Sequence, residues 1–357
     1  MNRGQWYRHY DTPLLILITL MFIFGLIVLY SATGHDAATV GRQTVRFLIG
    51  LAALTCMANL SPHVYLRAAL PLYVFGMILL CAVFLFEPAK GAQRWIVLGS
   101  IRMQPSELMK IAVPLMVARY CHFAPSPIRG LHAFIAFGLT ALPTLLIAKQ
   151  PDLGTAILVS VTGICVLFFA GLPARWWYRG AIAFSLCAPL AWFFALHDYQ
   201  KDRLLMFLSP EADPLGRGYH ILQSKIAIGS GGFFGKGLGQ GTQANLDFLP
   251  EPHTDFIFAV LSEELGLLGA AILFLGYGFI AWRCLLIGQR AQNSFAQCLA
   301  GSLSVSFMVY VVINIGMVTG LLPVVGLPLP LISYGGSSLV TLMACFGMLM
   351  SIETYRR

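Results

Sequence analysis

Residues Leu14–Tyr30 read LLILITLMFIFGLIVLY, and runs of this kind recur along the whole chain. About 20 consecutive apolar residues match the hydrocarbon thickness of a bilayer. In hydrocarbon every backbone N–H and C=O must be satisfied within the protein, so only helices and closed barrels cross. Period-two alternation is absent, which selects a helical bundle over a barrel. Composition agrees: 58% of the 357 residues are hydrophobic and 11% are charged, against roughly 25% charged in a soluble domain. The expectation is an all-α, polytopic integral membrane protein of about ten spans, at 13–31, 43–60, 64–86, 105–121, 131–148, 153–171, 178–196, 255–282, 298–322 and 333–352. Residues 1–357 read as one membrane domain, the first run being an uncleaved span rather than a signal peptide. The connections are short except for 197–254, which is expected to be a large extracytoplasmic loop.

Lys and Arg placement orients the bundle. With both termini in the cytoplasm, Arg3, Arg8, Arg67, Arg119, Arg129, Arg175, Arg179, Arg283, Arg290, Arg356 and Arg357 all fall on that side, as the positive-inside rule requires. The net charge of +8 therefore has a topological origin, and no nucleic-acid-binding module is present to suggest another. Trp6, Tyr7, Tyr10, Trp176, Trp177 and Tyr178 suit interfacial anchors. The eight cysteines lie in or beside apolar runs and form no CxxC pair, so they read as small packing residues.

On this topology the polar motifs gather at the outer starts of the even-numbered spans. Span four opens with Gln104, Pro105, Ser106, Glu107 and Lys110; span six with Lys149, Pro151 and Asp152; span eight with His253, Thr254 and Asp255; span ten with Ser333, Tyr334, Gly335 and Gly336. Helix N-termini carry partial positive charge and free N–H groups, which suits an anion and above all a phosphate. Arg42, Arg94 and Lys225 are external and add to that field. Taken singly, Ser106 and Asp152 read equally as helix caps, and Glu107 and Lys110, at i and i+3, as a structural ion pair.

Three carboxylates stand in and around the start of span eight, in PEPHTDFIFAVLSEELG. A charge there costs about 2.5–3.5 kcal/mol near a helix centre. Glu263 and Glu264 lie about 12–13 Å deeper than Asp255 at 1.5 Å per residue, and about 80° and 180° around the helix from it. The three cannot share one pocket. Asp255 is expected to face an outer vestibule, while Glu263 and Glu264 satisfy buried backbone or Arg partners, with a proton relay as the alternative. His253 beside Asp255 is weak support for a metal. The stretch IGSGGFFGKGLGQG is neither a Walker A loop nor GxGxxG in register; close-approach backbone is what its glycines support. Tyr219–Gly229 reads as an amphipathic helix at the membrane interface, and the loop that carries it could lie over the vestibule.

These blocks resemble the SEDS family, the shape, elongation, division and sporulation proteins. The matching segments are GAQRWIVLG (91–99), QPSELMK (104–110), QPDLGTA (150–156), QSKIAIGSGG (223–232), HTDFIFAVLSEELG (253–266) and NIGMVTGLLPVVGLPLPLISYGGSS (314–338), spread over almost the whole chain. GLLPVVGLPLP resembles the elongation branch, since Thr commonly replaces Pro328 in the division branch. The resemblance implies a peptidoglycan glycosyltransferase of the bacterial inner membrane that polymerises lipid II on the outer face. It implies Asp255 as the catalytic carboxylate and Arg94, Trp95, Glu107, Lys110 and Asp152 as sensitive positions. It further implies a class B penicillin-binding protein, penicillin-binding protein 2, as partner, together with other elongation-complex proteins and membrane lipid. The site expected from both lines of reasoning comprises Asp255 with Arg42, Arg94, Trp95, Gln104, Ser106, Glu107, Lys110, Asp152, Lys225, Thr254 and Ser333. Asp255 would act as base, directly or with a divalent cation, Mg or Mn, whose use the sequence leaves open. The alternatives are a lipid II flippase and a non-catalytic scaffold of the elongation complex.

Overall fold

The computed structural model describes residues 10–85, 94–98, 101–125, 127–194, 201, 205, 218–246, 248–249 and 251–356. Most of 197–217, the residues 1–9 with Trp6 and Tyr7, and the 91–93 part of the GAQRWIVLG block lie outside the described residues.

A long helix stands on each expected span: α1 (Thr12–Ala32), α2 (Ala37–Ala58), α3 (Pro62–Ala82), α4 (Pro105–Phe123), α5 (Leu131–Lys149), α6 (Leu153–Phe169), α7 (Ala174–Phe194), α10 (Ile257–Gln289), α11 (Ser294–Val318) and α12 (Ser337–Thr354). Between α7 and α10 lie α8 (Tyr219–Ser230) and the single turn α9 (Thr242–Asn245). Among the described residues, six helices are long and apolar enough to cross a membrane by length and composition. The all-α expectation holds for the bundle, with one addition. A small antiparallel hairpin, β1 (Ile96–Leu98) and β2 (Ile101–Met103), pairs Ile96 with Met103 just ahead of α4.

Local chemistry sets the helix ends. The Asp11 carboxylate caps α1 by accepting the Leu14 N–H at 3.0 Å, and the Asn293 side chain caps α11 through the Ala296 N–H at 2.8 Å. Asp36 accepts from the N–H groups of Ala38 and Thr39. That cap starts α2 at Ala37, ahead of the hydropathy boundary at 43, because Arg42, Gln43 and Arg46 are helical but polar. α1 exposes Ile16, Leu20, Ile23 and Ile27 along one side and buries Leu14, Ile18, Met21 and Phe22 along the other. α2 and α12 approach closely where Gly50 meets Met343 and Gly347 meets the Leu54 backbone, the use that membrane bundles make of small residues.

α10 is broken. Gly266 has φ 64° and ψ −157°, which divides the helix into residues 257–265 and 267–289. The glycine-rich stretch sits in the break. Lys236 and Gly237 donate backbone N–H groups to the carbonyls of Glu263 (3.0 Å) and Glu264 (2.9 Å), and Leu267 and Leu268 donate to Gly232 (3.0 Å) and Phe233 (3.1 Å). A β-carbon at Gly231 or Gly235 would overlap the carbonyls of Ser262 and Glu264. Irregular backbone at a helix break survives only when protein satisfies it, and this loop does so. α8 buries Ile221, Ser224 and Ala227 and is tied to α11 by the Ser224 hydroxyl on the Val318 carbonyl at 2.8 Å.

The described chain ends share one end of the bundle. The Arg283 guanidinium, near the end of α10, grips Asp11 with three hydrogen bonds of 2.6–3.0 Å. Gln292, after α10, donates to the Arg356 carbonyl beyond α12. The polar motifs singled out above lie at the opposite end.

Candidate active site

At that opposite end Asp152 does two jobs. Its Oδ1 caps α6 through the Thr155 N–H at 3.3 Å, while Oδ2 accepts from Gln104 Nε2 at 2.7 Å and Ser106 Oγ at 3.4 Å. The starts of α4 and α6 are thereby tied together. Arg94 holds the hairpin down on the α5–α6 turn by donating to the Gln150 carbonyl at 3.2 Å and to the Pro151 carbonyl. Lys110, buried on the next turn of α4, donates to Glu107 Oε1 at 2.7 Å and to the Tyr310 hydroxyl of α11 at 3.1 Å. Glu107 Oε2 is buried and has no hydrogen-bond partner among the described residues.

These groups wall a cavity of about 270 Å³. Arg94, Trp95, Gln104, Glu107, Asp152, Thr155 and Tyr310 form one side; Gly326–Pro328 and Gly335–Ser338 form the other. The N-termini of α4, α6 and α12 all reach it, so three helix dipoles point their positive ends at one volume. A narrow apolar slot of about 30 Å³ adjoins it, shares Tyr310, Pro328, Gly335 and Ser338, and is otherwise lined mainly by leucines and Pro330.

Asp255 lies in the turn two residues ahead of α10. Its backbone is held from three directions. Asn314 Nδ2 donates to the Asp255 carbonyl at 3.1 Å and to the Leu327 carbonyl at 2.6 Å. The Ser333 hydroxyl donates to the Thr254 carbonyl at 2.6 Å, and the Tyr334 N–H donates to the His253 carbonyl at 2.9 Å. Segment 253–255 is thus laid along segment 326–334. The carboxylate faces Gly326, a residue of the cavity wall: a β-carbon built there would stand 3.3 Å from Asp255 Oδ2. Among the described residues no donor reaches this carboxylate. Burial, and after it the nearby Glu251 carboxylate, pushes the Asp255 carboxyl up to about 6.

The geometry puts Arg94, Trp95, Gln104, Glu107 and Asp152 in the wall of one cavity, ties Ser106 and Lys110 to Asp152 and Glu107 behind that wall, and sets Asp255 against Gly326. Thr254 and Ser333 stand behind Asp255 as backbone supports; the Thr254 hydroxyl is spent on Glu251 Oε2 at 2.8 Å. Arg42 and Lys225 are outside this wall. Arg42 is exposed on α2, with Thr39 Oγ1 at 2.5 Å and Asp36 at 3.7 Å. Lys225, on α8, lies against Gly320 beyond the end of α11. Glu263 accepts from Lys236 Nζ (2.6 Å), the Thr242 N–H and hydroxyl (both 2.9 Å) and the Gln243 N–H. Glu264 accepts from the Ser31 hydroxyl of α1 at 2.6 Å. Their partners are a lysine, hydroxyls and backbone rather than arginines.

Sequence reasoning passed over Tyr310, Asn314 and Arg46. The signal for Asn314 and Arg46 was present: each is a strongly polar side chain inside a run otherwise able to span, which marks a functional or structural demand.

Comparison with known proteins follows the same lines. The sequence profile of the FtsW/RodA/SpoVE family, described as cell cycle protein, matches residues 11–357. Peptidoglycan glycosyltransferase MrdB of Escherichia coli K12 is 51% identical over 350 residues, covering 98% of this chain and 95% of the relative. MrdB of Helicobacter pylori strain 26695 is 38% identical, covering 100% of this chain and 93% of the relative. Among solved structures, a chain from a peptidoglycan synthase complex described as coordinating polymerization and crosslinking superposes with a TM-score of 0.85 at 33% identity, covering 97% of this chain and 98% of that one. Rod shape determining protein RodA of Thermus thermophilus superposes with a TM-score of 0.74 at 29% identity, covering 97% of each chain. With a profile match that starts at the N-cap of α1 and runs to the last residue, and with relatives matched along the same length, the chain belongs to the FtsW/RodA/SpoVE family, the SEDS proteins to which its motifs pointed.

Proposed function

We propose that this chain is a peptidoglycan glycosyltransferase that joins lipid II disaccharide units into glycan strands during cell elongation. Relatives bearing that activity in their names support it along the full length. The observation that carries it is the Asp255 carboxylate, held by its backbone, without a donor among the described residues and set against the wall of a polar cavity.

The reaction transfers a donor MurNAc from undecaprenyl diphosphate to the 4-hydroxyl of an acceptor GlcNAc. The acceptor oxygen forms a bond to the anomeric carbon. The bond from that carbon to the diphosphate breaks on the opposite face, and its electron pair leaves with the phosphate oxygen, so configuration inverts. Asp255 takes the hydroxyl proton; a general base with a pKa near the working pH contributes roughly 10²–10⁴-fold. Cations and helix N-termini aimed into a site of restricted water stabilise the charge growing on the leaving group, and Arg94, Lys110 and the starts of α4, α6 and α12 supply them.

Among the described residues no group of three or more His, Cys, Asp or Glu could hold a metal ion. A divalent cation would take one carboxylate from Asp255 and its other ligands from substrate phosphate and water, as Mg²⁺ commonly does. The partner is expected to be a class B penicillin-binding protein, in keeping with the synthase complex that supplies a structural neighbour. The arginine distribution supports termini in the cytoplasm and a site on the opposite, outer face of what we take to be the inner membrane. A flippase would need a polar path from face to face, whereas the space next to this cavity narrows into a leucine-lined slot.

The test is polymerisation in detergent, where no leaflet exists to cross. The protein is purified with its transpeptidase and given lipid II. Glycan polymer that disappears in Asp255→Asn, with thermal unfolding unchanged or improved, supports the enzyme. A folded complex with an active transpeptidase that makes no polymer refutes it.

A further inference from the structure

Arg46 is charged, partly buried and unpaired. It lies in α2 about 13 Å along the axis from Ala37 at 1.5 Å per residue, beside the exposed apolar residues Val45, Leu48 and Ile49. A guanidinium at such a place is costly and marks a functional site unless a partner explains it. The same protein shows what a structural arginine looks like: Arg283 is held by Asp11 through three hydrogen bonds. Arg46 has nothing comparable. Among the described residues no carboxylate lies within ion-pair distance of it and no acceptor takes its N–H groups.

Its position is nevertheless fixed. The guanidinium carbon stands 4.1 Å over the Tyr334 ring, and that ring meets His253 edge-on at 6.0 Å. A cation–π contact uses the positive charge and consumes none of the N–H donors as hydrogen bonds. Arg46 Nε lies 3.4 Å from where a β-carbon of Gly336 would be, and Gly335–Ser338 form one wall of the polar cavity. Arg46 therefore occupies the lip between the cavity and the lipid-facing side of α2. Tyr334, which it covers, and His253, which meets that ring, belong to the two segments that hold Asp255.

We propose that Arg46 binds the diphosphate of a polyprenyl-linked sugar donor. An anion with a long apolar tail belongs at such a lip. Its chain runs along Val45, Leu48 and Ile49, its sugars enter the cavity, and its phosphates meet a planar cation able to bind two oxygens at once. Asp255 would then serve the acceptor hydroxyl and Arg46 the leaving group. The identity of the lipid rests on the polymerase reading; the demand for a lipid-linked anion does not.

The test is binding without turnover. The Asp255→Asn protein in nanodiscs is titrated with undecaprenyl diphosphate, with undecaprenol as the uncharged control and with inorganic pyrophosphate as the tail-free control. Arg46→Gln is expected to weaken undecaprenyl diphosphate at least tenfold, Arg46→Lys to fall between, and undecaprenol to bind all three alike. Equal binding of undecaprenyl diphosphate to Arg46→Gln and its parent overturns the proposal. So does an equal loss of undecaprenol, which would mean a packing defect. Arg46-dependent binding of pyrophosphate as tight as that of the lipid overturns the lipid-linked source. If wild-type protein makes no polymer while Arg46-dependent binding persists, the polymerase reading fails and this site stands. If polymer forms and binding ignores Arg46, the outcome is reversed.

Discussion

Asp255 Oδ2 and Gly326 face each other so closely that a β-carbon on the glycine would stand 3.3 Å from the carboxylate. Gly326 also has φ 71°, a conformation that side-chain-bearing residues rarely adopt. One missing side chain thus gives the backbone its turn and leaves room beside the carboxylate on the cavity wall. An acid so placed, buried and without a donor, keeps its proton to higher pH than an exposed aspartate.

The pH dependence follows. Asp255 must be ionised to accept a hydroxyl proton, and its carboxyl lies at about 6. Polymerisation at saturating lipid II is expected to be flat above pH 7 and to fall about tenfold per unit below 6. Stability runs the other way. Folding raises this group from 3.8 to about 6, so the folded state holds the proton more tightly than the unfolded chain. The stabilisation is fully present below pH 3.8 and is lost as pH rises through 6. Above that pH the buried charge costs up to about 3 kcal/mol at 1.36 kcal/mol per unit. Asp255→Asn should therefore abolish polymer and raise the unfolding temperature at pH 7.5, while matching wild type near pH 4.

The sequence showed Asp255 because a carboxylate at the edge of an apolar run has to be explained by energy, whatever the fold. It showed the spans because apolar length is set by the bilayer. It hid the break in α10, since residues 257–282 read as one uninterrupted run and Gly266 is one glycine among many. The φ of 64° there depends on Gly232, Phe233, Lys236 and Gly237 arriving from another segment, and no local pattern encodes that. The glycine-rich stretch could be recognised as close-approach backbone, but what it approaches could not. Arg42 and Lys225 were grouped with the cavity by topology alone. Arg42 stays at the start of α2 beside Asp36 and Thr39, and α8 carries Lys225 to Gly320, while Arg46, one turn further along the same face of α2, reaches the lip.

Asn314 joins the base to the cavity wall by donating to the carbonyls of both Asp255 and Leu327. Its Oδ1 is buried without a partner among the described residues, so its amide NH₂ is the useful half. Asn314→Asp loses the donors and buries an unpaired carboxylate, and it should be at least as harmful as Asn314→Ala. A displaced reacting group costs on the order of 10²-fold in rate. The expected signature is a fall of about that size in kcat with a much smaller change in KM, measured with purified lipid II. A matching rise in KM would mean that Asn314 shapes the pocket rather than placing the base.

The clamp at the α10 break makes a separate prediction. Glu263 is fully buried and Lys236 is 29% exposed, so the two ends are unequal. Removing one partner of a buried pair costs about 3–5 kcal/mol. Glu263→Ala should approach that figure, because the Thr242 and Gln243 donors lose their acceptor and Lys236 loses its counter-ion, keeping only the Thr242 hydroxyl. Lys236→Ala should cost less, since the Thr242 and Gln243 donors remain. Gly235→Ala forces a β-carbon onto the Glu264 carbonyl at φ 79° and should destabilise the protein as severely as Glu263→Ala. Thermal unfolding of the three variants in one detergent gives the order.

Lys110 and Glu107 decide whether the cavity floor is chemical or structural. Their side chains are 9% and 12% exposed, and Nζ lies 2.7 Å from Oε1. Breaking such a pair from one side leaves a charge without its mate, so Lys110→Met and Glu107→Gln should each destabilise. Replacing both charges by neutral side chains often restores stability, because the desolvation cost disappears with the attraction. The double variant Glu107→Gln/Lys110→Met should therefore unfold nearer to wild type than either single variant. If Lys110 stabilises charge on the leaving group, the double variant stays inactive despite its recovered fold, down by roughly 10²-fold or more in kcat. If the pair only braces α4 against Tyr310 of α11, activity returns together with stability, and Lys110 leaves the list of catalytic cations.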